Sequence, residues 1–244
     1  MLYLICLVVG FLVGGTGMGG ILIPPALVLA SGLDTHTAMG TTLASFIPMN
    51  IAGCILFRRM GHLNLAMALP LILGGSLSAG LCAVINVYCN PTFLTTVLAC
   101  LVLFAGVTTF RPPKPKQSQI SFWHKPVGLF GIGLSTGTAA GLTGAGGPLL
   151  AIAWMVAAAI HPLTAVGLSM PYSLATAITA TCANWANGSV DWPILWRVAG
   201  LELLGFLVGV VCVSKLPILW IKRCMGLTCL FLGTFLLAKT LLNL

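Results

Sequence analysis

The stretch GGTGMGGILIPP, Gly14 to Pro25, places five glycines and two prolines inside an apolar segment that begins at the N-terminus. A related stretch, GLTGAGGPLLAI, runs from Gly141 to Ile152. A helix surrounded by lipid must satisfy every backbone amide, so it survives such a break only where protein or a polar cavity surrounds it. The question is what two such breaks are for.

Around them the chain is oily. It has 244 residues, 59% hydrophobic and only 6% charged, with a mean hydropathy of +1.09. Soluble proteins carry about 25% charged residues, so too few charges are present to cover a water-facing surface. The fold expected is an all-α polytopic membrane protein. Its start, MLYLICLVVG, lacks a basic leader region and is expected to belong to the mature fold.

Apolar runs near 2–31, 37–57, 65–87, 92–110, 126–160, 163–186, 194–213 and 217–242 are of spanning length. The first and fifth are too long for one straight helix, and both hold a glycine break. The polar linker RPPKPKQSQISFWHK, Arg111 to Lys125, divides a first repeat (1–110) from a second (126–244) and is expected to be cytoplasmic.

Shifted by 127 residues, Gly14–Leu65 aligns without gaps on Gly141–Trp192, with thirteen identities in 52 positions. Shared leucines and alanines mean little in oily sequences. Four break glycines and a threonine in one register mean more, and we read an internal duplication. If each broken segment spans once, the halves are parallel and the basic residues divide eight inside to three outside. If each is a re-entrant hairpin, the halves are inverted and the division is nine to two. The inside bias of Lys and Arg favours the inverted arrangement.

Each break offers amides at the start of a following helix, where partial positive charge gathers. Pro24, Pro25 and Pro148 suit a first helical turn, where the missing N–H matters little. Glycines let a ligand approach the backbone closely. Paired breaks in two halves point to a transport site near the membrane midplane; the competing use of such glycines is close helix packing. The candidate substrate-binding residues are Thr16, Gly17, Gly19, Gly20, Thr42 and Ser45 in the first half. In the second they are Thr143, Gly144, Gly146, Gly147, Ser169, Tyr172 and Ser173. Hydroxyls in membrane helices also bond their own backbone.

Glu202 is the one carboxylate within an apolar span, a candidate for carrying a coupling proton. Its alternatives are a pair with Arg197 or a place near the interface. Asp34 and Asp191 fall at segment ends and read as caps. The nine cysteines form no CxxC and the four histidines no metal-ligand spacing, so no metal or cofactor is expected. HExxH and GxxxxGK[ST] are absent, which argues against a zinc-dependent intramembrane enzyme and against ATP hydrolysis by this chain. The +8 net charge reads as loop anchoring, with no nucleic-acid partner.

GGTGMGGILIPPALVLASGLDTHTAMGTTLASFIP and GLTGAGGPLLAIAWMVAAAIHPLTAVGLSMPYS, each followed by a Gly-x-hydrophobic-Asp/Asn turn, resemble the sulfite exporter TauE/SafE family. Where members usually show a third glycine after the pair, this chain has Ile21 and Pro148. The resemblance implies a permease of the bacterial inner membrane with duplicated four-segment halves. It implies a small sulfur-containing anion such as sulfite, thiosulfate or an organosulfonate as substrate, moved with ion or proton coupling. A channel or a non-transporting subunit is the alternative, and the oligomeric state stays open, a homodimer included.

Overall fold

The computed structural model describes residues 2–17, 19–109, 125–144, 147–158 and 160–212, together with 227, 230–231, 233–235 and 237–238. The linker before Lys125, and most of the last expected segment, lie outside the described residues. Among the described residues there are helices and turns and no strand.

The first apolar run folds as α1 (Leu2–Thr16), a 3₁₀ turn (Gly20–Leu22) and α2 (Ile23–Ser31). Then come α3 (Thr35–Arg59), α4 (Leu65–Asn86) and α5 (Pro91–Thr109). After the linker the order repeats with α6 (Pro126–Thr143), α7 (Gly147–Ala157), α8 (Pro162–Ala186) and α9 (Trp192–Cys212). Four helices, α3, α4, α8 and α9, are long and apolar enough to cross a membrane. With 25 residues α3 rises about 37 Å, whereas the 15 residues of α1 rise about 22 Å, short of a hydrocarbon core of roughly 30 Å.

Both breaks open on the same kind of cap. Gly17 and Gly144 take left-handed φ values of 70° and 67°, a conformation that a Cβ disfavours. The Gly17 amide donates to Val13 O at 2.8 Å and the Gly144 amide to Ala140 O at 2.9 Å, closing the preceding helix with a glycine cap. Each pair of positions is separated by 127.

The same register governs the packing. Helix α1 packs on α9 and α6 on α4, so the first helix of each half lies against the other half. A Cβ on Gly10 or Gly14 would collide with the carbonyl oxygens of Glu202 or Phe206. A Cβ on Gly137 or Gly141 would collide with those of Gly75 or Ala79. Position for position these are the same two contacts, 127 residues apart, and small residues four apart allow the backbones to meet. Helices α3 and α8 pack on each other at the centre.

Polarity is distributed for lipid. Leu65, Leu69, Leu73, Leu77 and Leu81 make an exposed stripe on α4, while Asn50, Asn86, Asn184, Thr41 and Glu202 are buried. Water-soluble chains do not expose such apolar faces. Several interior polar groups find partners across helices: Asp191 N–H donates to Thr41 Oγ1 at 2.9 Å and Asn50 Nδ2 to Ser173 Oγ at 2.9 Å.

Candidate functional site

A cavity opens between the first break, the start of α7 and the middle of α3 and α8. Gly17, Gly19, Gly20 and Ile21 line it from the break, and Pro148 and Leu149 from α7. Phe46, Met49 and Asn50 of α3 face Ser169, Met170 and Ser173 of α8. No lysine, arginine or histidine is among the lining residues. The cavity is small, about 20 Å³, with room for one or two waters. An anion of several heavy atoms needs the helices to part.

Glycine is required on the cavity wall for space. A Cβ on Gly20 would lie 2.7 Å from the Phe46 ring, and one on Gly17 would lie 2.8 Å from Ile152. The 3₁₀ turn starts at Gly20, and the first amides of any helical turn lack a partner inside it. Asn50 Nδ2 donates to Ser173 Oγ at 2.9 Å across the α3–α8 seam. Pro48 and Pro171 interrupt the ladders of those same helices beside the cavity, freeing a carbonyl in each.

The candidate residues therefore divide. Gly17, Gly19, Gly20, Ser169 and Ser173 come together at the cavity. Thr42 donates to Ala38 O at 2.7 Å, Ser45 to Thr42 O at 2.9 Å and Thr143 to Ala139 O at 2.6 Å, each within its own helix. Ser169, at the cavity, also donates to Val166 O, at 2.7 Å. Tyr172 is fully buried with its hydroxyl 2.8 Å from Thr136 Oγ1. Gly147 packs beside that hydroxyl, and Gly144 packs on Met39. Gly146 and the Thr16 side chain lie outside the described residues.

Phe46, Met49 and Asn50 are lining residues that the motifs did not mark. Phe46 is the repeat counterpart of Ser173, so the 127-residue register itself carried that signal. Beside the second break, Asn86 Nδ2 donates to Leu142 O at 2.6 Å, and His36 Nδ1 lies 2.9 Å from Asn86 Oδ1. This chain of bonds ties α3 and α4 to the end of α6; composition gave no hint of it. Glu202 is fully buried, and neither carboxylate oxygen has a hydrogen-bond partner. Arg197 turns away to the Tyr3 hydroxyl, 3.4 Å distant, so the two do not pair. Among the described residues no cluster of His, Cys, Asp or Glu has the makings of a metal site.

Asp34 does cap α3, accepting from the Thr37 amide at 3.0 Å. Partial burial works to raise its pKa, but the Thr37 amide and hydroxyl, with His36 nearby, hold it below its ordinary value.

The chain is 26% identical over 248 residues to a Bacillus subtilis (strain 168) protein named "Probable membrane transporter protein YdhB", covering 97% of this chain and 99% of that one. No solved structure matches it. The family and the relative are both described as membrane transport proteins, not as enzymes. The model of the family described as sulfite exporter TauE/SafE matches residues 2–236, and the chain belongs to that family.

Proposed function

We propose that this membrane transporter is a secondary permease that moves a small sulfur-containing anion, such as sulfite, thiosulfate or an organosulfonate, across the inner membrane. The observation that carries the reading is the cavity itself. Glycines of the first break and the start of the helix after the second meet there, beside the hydroxyls of Ser169 and Ser173 and the Asn50 amide. A small oxyanion is well served by neutral backbone N–H donors at helix starts, and lining residues without a cation let it leave again.

Residues 1–110 and 126–244 act in this reading as two inverted four-segment halves joined by the linker 111–125. The recurrence of the Gly17/Gly144 caps and of the Gly10 and Gly14 contacts at Gly137 and Gly141 supports the duplication. Alternating access then comes from one half rocking against the other. The small cavity favours a carrier that changes shape over an open channel.

The test is thermal stability of the purified chain against sulfite, thiosulfate, sulfate, taurine and acetate. A ligand at 100 times its Kd stabilises by about 2.7 kcal/mol. A shift confined to sulfur oxyanions or sulfonates, lost in G20A, supports the site. No shift with any of them counts against it. Vesicle flux that fails to saturate with concentration would return the channel reading.

A further inference from the structure

The two halves solve one position differently. Around Tyr172 in the second half, the ring fills the space above Gly75 and the hydroxyl meets Thr136. Subtracting or adding 127 gives the matching residues on the other side: Ser45 for Tyr172, Glu202 for Gly75 and Val9 for Thr136. There the long side chain comes from α9 instead of α3, and the residue that would supply a hydroxyl partner is a valine. The Ser45 hydroxyl lies near enough to the Glu202 carboxyl to interact with it, but its proton goes to Thr42 O at 2.9 Å, and no well-formed hydrogen bond reaches either carboxyl oxygen. A purely structural polar group in such a place has its partner, as Tyr172 does.

The groups around Glu202 are few. From α1 the titratable neighbour is the buried thiol of Cys6, whose repeat counterpart is Gly133. From α3 it is faced by the Ser45 hydroxyl, which does not titrate at accessible pH. His36, Cys54, Arg58 and Arg59 of α3 lie nine or more residues along from Ser45, and on its own helix Arg197 is engaged with Tyr3. Among the described residues no cation pairs with the carboxyl. An ionised carboxylate in this spot would be desolvated with nothing in exchange, a far larger penalty than burying the neutral acid.

The position is also wired to the break. Gly10 rests on the Glu202 carbonyl, and α1 runs from there directly to the cap at Gly17. Ser45 precedes Phe46, whose ring sits against Gly20. Parting α1 from α9 far enough to wet Glu202 must move the cavity wall.

We propose that Glu202 is a proton-binding site of the transport cycle. It holds a proton while α1, α3 and α9 are packed together, and releases it to water when they part. Movement of the anion site is thereby tied to a proton. This rests on the transport reading above, and the test separates the two.

Glu202 is the sole glutamate in the chain, so isotopically labelled glutamate reports on one residue. Infrared spectra of the labelled full chain in liposomes, titrated through the neutral range, should show the band of a protonated carboxylic acid that E202Q lacks. E202Q mimics the neutral acid in size and is expected to fold. With sulfite, thiosulfate and taurine as probes, E202Q should keep anion exchange but lose its acceleration by a pH gradient. Only ionised-carboxylate bands across the neutral range, or an undiminished pH-gradient response in E202Q, would overturn the proposal. Wild-type protein that moves none of the three would sink the anion reading, while the infrared band still decides for or against the proton site.

Discussion

The two halves of this protein share a backbone plan and differ in what they hang on it. At the plan level the correspondence is close: left-handed Gly17 and Gly144, left-handed Gly61 and Gly188, and the same helix contacts at Gly10 and Gly137. At the side-chain level they diverge where function would be expected. Phe46 closes the cavity where its counterpart Ser173 accepts a hydrogen bond, and Glu202 stands unpartnered where Gly75 makes room for a satisfied tyrosine. Features that build the scaffold are held in both copies, and the side chains proposed to act in transport are held in one.

The largest effects should fall on the shared plan. Gly14→Leu and Gly141→Leu each drive a side chain into a carbonyl on the facing helix. Each should cost about 3 kcal/mol or more, beyond ordinary overpacking because backbone has to move. Unfolding of the purified variants would measure it. Equal losses support equivalent seams. A tolerant Gly141 with an intolerant Gly14 would break the correspondence at its firmest point.

Next in size is ligand-dependent stability at the cavity. Gly20→Ala puts a methyl 2.7 Å from the Phe46 ring, and should abolish an anion shift of up to about 2.7 kcal/mol at 100 times Kd. Gly147→Ala presses instead on Ala140, and its Cβ comes 3.2 Å from the Tyr172 hydroxyl. It should lower basal stability while leaving part of the anion shift. A thermal series with and without anion separates the two outcomes. The opposite pattern would move the site to the second break.

The glycine breaks and the helices among the described residues were legible in the sequence because glycine, proline and hydropathy act locally. Gly17 and Gly144 need only their own φ to announce themselves. What it did not reveal depends on which helices meet. Asn50 and Asn86 belong to no motif, and their roles emerge only when α8 brings Ser173 to the one and α6 presents Leu142 O to the other. The hydroxyls of Thr42 and Thr143 sit near the breaks in sequence, but the nearest acceptor for each lies one turn back in its own helix. Proximity along the chain is a poor guide to direction around a helix.

The Tyr172–Glu202 contrast yields opposite signs at about 1 kcal/mol. Tyr172→Phe removes one bond to Thr136 and should destabilise by about 1 kcal/mol. Glu202→Met removes a carboxyl with no hydrogen-bond partner and should be neutral or stabilising by a similar amount. Chemical unfolding at neutral pH measures both. A strongly destabilised Glu202→Met would mean that the carboxyl has a structural partner after all, and the asymmetry would lose its meaning.

The smallest test lies at the helix starts, where the halves again differ. Asp34 caps α3 through the Thr37 amide, whereas its counterpart His161 precedes α8 with no side-chain cap bond and leaves the opening to Pro162. Asp34→Ala should cost about 1 kcal/mol and His161→Ala almost nothing. The pH dependence has a definite sign. Because the Asp34 pKa is lowered in the folded protein, its contribution is present above the unfolded value and fades as pH falls through the folded one. The gap between wild type and Asp34→Ala should therefore close on acidification, modestly, since the group is exposed and screened. His161→Asp should give the second half the cap of the first, with a gain of up to about 1 kcal/mol that fades over the same acid range. If His161→Asp gains nothing at neutral pH, then Pro162 has already fixed the start of α8, and the two helices reach the same geometry by different means.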